Sequence, residues 1–189
     1  ETTLSQTEVA EGYKTVKDLA VIAKFPITDE EFIYKYCKNK PTSFVAWTTT
    51  PWSLPTTMAL AVGADFNYVV VRIGEDPASA ELQRGEQIIC VKERLEYAMS
   101  HKPEVKYEII GEVEGSKMDR ISYEHPFGKF YLEHPKVKDN PNVYKTHITD
   151  YVSTEDGTGI VTINGAFGDI DMEAAKKIGL PVVVNVRMD

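Results

Sequence analysis

Short strand-like runs separated by turn residues recur along most of the chain, and this pattern limits the possible folds more than any other feature. Most runs have four to seven residues, are rich in valine, isoleucine, tyrosine and phenylalanine, and have glycine, proline or aspartate near their ends. They cover residues 20–25, 44–47, 59–62, 68–73, 87–91, 107–113, 129–132, 143–146, 159–163 and 182–186. Many short strands with few helices predict a mainly β protein with helical decorations (α+β), built as a closed or nearly closed β-barrel.

Helical patterns are fewer, and they occupy residues 92–100 and 171–178. Asp169 or Asp171 is expected to cap the second helix, and Gly179 with the Leu-Pro pair that follows it is expected to end that helix. Residues 28–31, Thr-Asp-Glu-Glu, have the form of a capping box and predict one short helical turn.

The length of 189 residues suits a single domain, and the charge balance narrows its partners. The formal net charge is −8, from 29 acidic and 21 dispersed basic residues. Because phosphate binding needs clustered lysine and arginine, we do not expect this chain to bind nucleic acid strongly by itself. No apolar run approaches the roughly 20 residues needed to cross a bilayer, so no membrane partner is predicted. Cys37 and Cys90 have no CxxC spacing or histidine cluster, which predicts reduced thiols in a cytoplasmic protein rather than a disulfide or zinc site.

The segment Thr-Thr-Thr-Pro-Trp-Ser-Leu-Pro, residues 48–55, is the first candidate for a functional site. It follows directly on the predicted strand 44–47, and its two prolines fix the backbone around the tryptophan. Neighbouring threonine methyls and hydroxyls can line a small pocket for a molecule with a polar head and an apolar tail. For the three threonines alone, an ordinary strand end and turn is the simpler interpretation.

The whole octapeptide, together with segments elsewhere, resembles the editing (CP1) domain inserted in isoleucyl-tRNA synthetases. The other matching segments are MALAV (58–62), DF (65–66), EDGTGIV (155–161) and AFGDID (166–171). The related valine and leucine enzymes have arginine at the place of Thr50, which favours the isoleucine branch. The similarity covers nearly the whole chain, so it implies that residues 1–189 form one editing domain whose two ends connect to a catalytic body absent from this chain.

The function that the resemblance implies is hydrolysis of mischarged Val-tRNA(Ile) at its 3′-terminal ester. Isoleucine–tRNA ligases are the standard example of the underlying problem, because one methylene changes binding by only about 1–3 kcal/mol. A second pocket, too small for isoleucine but open to valine, supplies the missing discrimination. The implied partners are the 3′ end of mischarged tRNA(Ile) and the catalytic body of the parent synthetase, and no metal or cofactor is implied. The HIGH and KMSKS signatures of that body are absent, so the fragment alone is not expected to activate isoleucine with ATP.

The resemblance also implies roles for individual residues. Thr48, Thr49 and Thr50 form the polar wall of the catalytic pocket. Asp171 matches the family aspartate that anchors the α-amino group, since a carboxylate near an ammonium makes a charge-assisted bond that orients the substrate. Trp52 packs behind the wall or in the core.

The remaining substrate-binding candidates are a glycine-rich segment and Thr57 and Thr162, which are two of three departures from the family pattern. Gly157, Thr158 and Gly159 are expected to form the opposite rim, where the terminal adenosine enters. The family usually has asparagine, histidine and proline where this chain has Thr57, Thr162 and Gly165.

Thr162 can form hydrogen bonds but cannot take a positive charge or act as an imidazole base. An editing-weakened or inactive structural insertion of the same synthetase is therefore the alternative. A free-standing deacylase or RNA-binding barrel is a third reading, which the acidic charge disfavours. The four histidines elsewhere in the chain are expected to have surface or packing roles.

Overall fold

The computed structural model describes residues 19–74, 85–100, 103–128, 131 and 133–186, and within them the predicted mainly β fold with helical decorations is confirmed. The strands are β1 (Val21–Pro26), β2 (Thr42–Thr48), β3 (Ala59–Val62), β4 (Asn67–Ile73), β5 (Gln87–Val91), β6 (Tyr107–Glu114), β7 (Thr146–Ile148) and β8 (Ile160–Ile163). The α-helices are α1 (Glu30–Tyr36), α2 (Leu95–Met99) and α3 (Asp169–Ile178), and short 3₁₀ helices cover Pro51–Thr56, Lys92–Arg94 and Gly115–Lys117. None of these helices, in the part of the chain described, is long and apolar enough to cross a membrane.

The strands are hydrogen bonded as two sheets. The larger sheet has the order β1-β2-β5-β4-β6, in which β2 and β5 are parallel and the other neighbours are antiparallel. The smaller sheet has the order β7-β3-β8, with β3 parallel to β7 and antiparallel to β8. β2 packs against β8, so the two sheets meet along these strands. Within the described residues, the strands expected to form a closed or nearly closed barrel are hydrogen bonded as these two separate sheets.

Buried polar groups join the two sheets where β2 and β8 meet. The hydroxyl of Tyr68 on β4 donates to the Gly159 carbonyl at 2.8 Å and accepts from the Gly63 amide at 2.9 Å. The buried Thr158 hydroxyl donates to the Val45 carbonyl at 2.6 Å. Because both side chains are fully buried, these bonds fix the middle of β2 and the start of β4 against the residues that lead into β8.

The prediction that Asp169 or Asp171 caps helix α3 is wrong. Gly168 is the N-cap, and it has no side chain to form a capping hydrogen bond. Both aspartates lie in the first turn, where a negative charge interacts favourably with the helix dipole. Gly179 ends the helix as predicted, with a left-handed φ of 79°. The Leu180 amide donates to the Ala175 carbonyl at 2.8 Å and completes the C-cap.

Two other predicted elements differ in the structure. Residues 182–186 do not form a strand: Val183 packs into the cluster beside α3, Val184 and Val186 are exposed, and no described strand pairs with the segment. The capping box opens at Asp29 instead of Thr28: its side chain accepts from the Phe32 amide at 2.9 Å, and the helix that follows is longer than one turn.

The remaining predicted elements differ less. The strand predicted at 143–146 is found at Thr146–Ile148, and the helix predicted at 92–100 begins as a 3₁₀ turn. The strand predicted at 129–132 lies largely outside the described residues.

Candidate functional site

A cavity of about 320 Å³ opens between the end of β2, the start of β8 and the first turn of α3. The predicted site residues that line it are Thr48, Thr49, Thr50, Gly157, Thr158, Thr162 and Asp171. They come from three segments that are far apart in the sequence. The contact between β2 and β8, where the two sheets meet, brings these segments together.

The threonine run forms a rigid, hydroxyl-bearing wall. The Thr48 hydroxyl accepts from the Thr50 amide at 3.0 Å and lies 3.2 Å from the Thr50 hydroxyl. Ser53 continues the chain of hydroxyls, because its oxygen lies 3.2 Å from that of Thr50 and donates to the Thr50 carbonyl at 2.8 Å. Pro51 starts the 3₁₀ helix that follows, where a missing amide proton costs no hydrogen bond. The wall therefore presents both donors and acceptors from a fixed backbone.

Asp171 brings the only carboxylate on α3 that lines this cavity. Its Oδ2 accepts from the Asn164 backbone amide at 2.8 Å, and no hydrogen bond occupies Oδ1 within the described residues. Burial raises the pKa of the Asp171 carboxyl above its ordinary value, and the hydrogen bond from Asn164 opposes that rise. A partly buried carboxylate with one free oxygen can bind a cation and gain a strong charge-assisted bond.

Asn164 is a residue of the cavity that the sequence reasoning missed. Its side-chain amide donates to the Thr162 hydroxyl at 3.4 Å, and its Oδ1 lies 3.5 Å from the Thr56 hydroxyl. Asn164 thus links the end of β8 to the 3₁₀ helix after the threonine run and, through its backbone, to Asp171. Its position between β8 and the AFGDID segment was the available signal.

The glycines of the 157–159 segment have different roles. Gly157 lines the cavity with a φ of 68°, and a Cβ there would lie 3.2 Å from the Trp47 side chain. Gly159 has a φ of 72° and lies outside the cavity lining, where a Cβ would collide with Val91. Both positions require the left-handed backbone that glycine adopts without strain, and Gly159 is needed for packing rather than for the cavity surface.

Two other predicted residues lie outside the cavity lining. Trp52 is about half-exposed, and its ring packs edge-on against Phe167 with centroids 4.9 Å apart. Phe167 itself lines the cavity, so Trp52 supports the wall from behind. Thr57 is fully buried, and its hydroxyl has no hydrogen-bond partner in the described structure.

The described histidines lie away from the cavity. The His125 Nδ1 accepts from the Phe127 amide at 2.9 Å, so its Nε2 carries the proton and donates to the Leu54 carbonyl at 3.1 Å. Burial lowers the pKa of His125 to about 4, which keeps the ring neutral. The His147 Nε2 lies 2.8 Å from the Asn142 carbonyl, and burial lowers its pKa as well. These rings are packing elements, as predicted, and His101 lies outside the described residues.

Tyr151 is a second cavity residue that the sequence reasoning missed. Its hydroxyl is buried and has no hydrogen-bond partner in the described structure. Burial, together with the nearby Asp171 carboxylate, raises the pKa of Tyr151. The ring is therefore a neutral wall at physiological pH.

The cavity combines the free oxygen of Asp171, the exposed carboxylate of Asp156, a wall of neutral hydroxyls and apolar sides from Phe167 and Tyr151. Such a set of groups can bind the ammonium of an amino acid and enclose a small side chain. It can also hold water by hydrogen bonds. Within the described residues, no group of histidine, cysteine, aspartate and glutamate side chains could hold a metal ion.

No family model matches the chain, but curated proteins do. It is 34% identical over 192 residues to an isoleucine–tRNA ligase of Corynebacterium diphtheriae, covering 97% of this chain and 17% of that protein. It is 36% identical over 182 residues to an isoleucine–tRNA ligase of Clostridium novyi, covering 96% and 15%. It is 35% identical over 180 residues to isoleucine–tRNA ligase 2 of Bacillus cereus, covering 95% and 14%. The chain therefore spans about a sixth of the length of the curated relatives it matches.

Solved structures with the same fold are editing domains. The crystal structure of GlLeuRS-CP1 has a TM-score of 0.64 at 16% identity, covering 85% of this chain and 60% of that chain. The editing domain of the P. knowlesi cytosolic leucyl-tRNA synthetase has a TM-score of 0.58 at 12% identity, covering 84% and 63%. At these identities the similarity establishes the fold.

Proposed function

Because this chain belongs with the isoleucine–tRNA ligases by sequence and has the fold of a CP1 editing domain, we propose that it hydrolyses mischarged Val-tRNA(Ile) at the 3′-terminal ester. One observation carries the proposal. The carboxylate of Asp171 and the hydroxyls of the threonine run line the same cavity, although more than a hundred residues separate them. A cavity of about 320 Å³ is near the lower end of the range for small-ligand sites, as a pocket for a small amino acid requires.

Asp171 is the proposed anchor of the substrate's α-ammonium group. Its Oδ2 is held by the Asn164 amide, so the carboxylate is oriented before substrate binds, and Oδ1 remains for the ammonium. A bond of this kind fixes the position of the ester relative to the rest of the cavity. Preorganisation of this type lowers the barrier because the orientation entropy is lost in binding and not in the chemical step.

The threonine wall is the proposed site of water and ester orientation. Thr49 and Thr50 are exposed to the cavity mouth, while Thr48 is buried beneath them. Their hydroxyls are neutral at physiological pH, so they donate and accept hydrogen bonds without acting as strong bases. In this scheme the wall positions water and stabilises charge that develops on the ester oxygen. Gly157 is the proposed rim for the terminal adenosine, because it lines the cavity and has no side chain to fill it.

The tRNA body requires a binding surface outside this chain. A net charge of −8 is unsuited to neutralising phosphates, so the catalytic body of the parent synthetase is the proposed holder of the tRNA. In this view residues 1–189 form one editing domain, its two ends connect to that body, and only the 3′ end of the tRNA enters the cavity. We infer a cytoplasmic location from the relatives, which are tRNA ligases.

A weakened or inactive structural insertion is the second candidate. The composition of the cavity favours this candidate, because none of the residues that line it within the described part of the chain is a histidine. Thr162 stands where the family has its histidine, and its hydroxyl accepts from the Asn164 amide. Thr57, at the place of the family asparagine, is buried away from the cavity.

The deciding experiment measures hydrolysis of Val-tRNA(Ile) by a full-length ligase that carries this domain. Ile-tRNA(Ile) is the control substrate, and Asp171→Ala is the control variant. Selective release of valine that is lost in the variant supports active editing. Release at the uncatalysed rate by the unmodified enzyme rejects active editing and favours the structural insertion.

A further inference from the structure

A second and larger cavity lies behind the candidate site. Its volume is about 740 Å³, and it is bounded by the β3–β4 turn, the segment after β7 and the outer face of α3. Phe66, Ile148, Ile170 and Ala174 contribute its apolar surface. Helix α3 borders both cavities, because Asp171 lines the smaller one while Ile170 and Ala174 line the larger one.

Tyr151 is the one residue that lines both cavities. Its ring packs against the apolar cluster that contains Val152 and Ala174. The Tyr151 hydroxyl is buried, and no hydrogen bond holds it in the described structure. The ring therefore separates the two spaces by its shape and packing.

The other walls of the smaller cavity differ from this one in what lies behind them. The threonine run leads into a 3₁₀ helix whose Leu54 and Thr56 are buried, and Thr158 is hydrogen bonded to β2. Behind Tyr151 lies open volume. Where packed residues lie behind a wall, shortening a side chain enlarges the smaller cavity only by the volume of the lost atoms. Removing the Tyr151 ring instead joins the two cavities.

We propose that the Tyr151 ring sets the depth of the editing cavity and is the residue that excludes isoleucine from it. The inference rests on the proposed editing function. Valine and isoleucine differ by one methylene, so discrimination between them requires a wall that does not yield by that amount. The Tyr151 ring is partly buried, and its contacts with the cluster that contains Val152 and Ala174 hold it in place as such a wall.

The test compares Val-tRNA(Ile) and Ile-tRNA(Ile) as substrates of the full-length ligase and of three variants. Tyr151→Ala is expected to reduce the valine-over-isoleucine ratio of kcat/KM about tenfold, mainly through faster hydrolysis of Ile-tRNA(Ile). Tyr151→Leu removes the ring with a smaller packing change, and it is expected to shift the ratio in the same direction. Tyr151→Phe keeps the ring, and it is expected to retain the ratio of the unmodified enzyme. A merely structural role for Tyr151 would slow both substrates equally.

Binding separates failure of this inference from failure of the proposed function. The probes are non-hydrolysable adenosine amides of valine and isoleucine, and calorimetry gives their affinities. If the unmodified enzyme hydrolyses neither ester, the proposed function fails, and the affinities of the two amides still decide the role of Tyr151. Unchanged selectivity in both Tyr151→Ala and Tyr151→Leu, with each variant folded by its thermal melt, overturns the inference.

Discussion

Replacement of Asp171 by asparagine separates the charge of this side chain from its structural hydrogen bond. Asparagine has nearly the same shape and keeps a carbonyl oxygen that can accept from the Asn164 amide, the bond that Asp171 makes at 2.8 Å. It removes only the negative charge that the α-ammonium of the substrate is proposed to need. Asp171→Ala removes both, and Asp169→Asn removes an exposed carboxylate from the same helical turn.

The expected magnitudes follow from these contacts. A hydrogen bond to a charged group contributes about 1.5–3 kcal/mol, so Asp171→Asn should lower kcat/KM for Val-tRNA(Ile) about 10- to 150-fold. Asp171→Ala should show at least this loss of activity. It should also lower the free energy of unfolding by about 1–3 kcal/mol, because the buried Asn164 amide loses its partner. Asp169→Asn should change neither quantity appreciably.

The stability of Asp171→Asn has a definite sign. Burial raises the pKa of Asp171 in the folded protein, so ionisation of this carboxyl costs stability above that pKa. Asparagine avoids the cost, and at neutral pH the variant should be at least as stable as the unmodified protein. This advantage should disappear as the pH falls below the carboxyl pKa of the unfolded chain, where the group is protonated in both states.

Deacylation of preformed Val-tRNA(Ile) by full-length enzyme measures the activity, and urea denaturation measures the stability. Equal rates for Asp171→Asn and the unmodified enzyme would refute the charge argument. Equal loss of activity in Asp169→Asn would show that the helix charge, and not a specific anchor, is responsible. A destabilised Asp171→Asn variant at neutral pH would contradict the stated sign.

Three further results are expected. Tyr68→Phe leaves the Gly63 amide and the Gly159 carbonyl without their partner. Urea denaturation should therefore show a free energy of unfolding that is lower by about 2–4 kcal/mol. An unchanged free energy would show that the hydroxyl does not join the sheets. Thr49→Arg places a long side chain at the exposed mouth of the cavity, so deacylation should fall strongly with little change in Tm; unchanged editing would remove Thr49 from the site. The pH profile of deacylation should lose activity toward acid through the raised pKa of Asp171, and Asp171→Asn should lack that acidic limb, whereas an identical limb in both proteins would assign it to another group.

The sequence pattern predicted an element correctly where the side chains of that element are enough to define it. The strands at 59–62 and 87–91 were predicted with their observed bounds, because short, mainly apolar runs between turn residues have few other ways to be buried. The same pattern was wrong at 182–186. That segment buries Val183 against α3, and a strand also needs a neighbouring edge to pair with, which no sequence window reveals.

The sequence by itself determined the mainly β character, the rigid threonine turn, the left-handed end of α3 at Gly179 and the similarity to editing domains. Tertiary structure decided which of the predicted residues line the cavity and which further residues join them. It brought Asn164 to Thr56 across 108 positions, and it left Trp52 and Thr57 outside the lining. It also placed the Tyr151 ring between two cavities. The physical reason is that a wall is made by side chains from separate segments, and their distances depend on how the two sheets pack rather than on the spacing of residues along the chain.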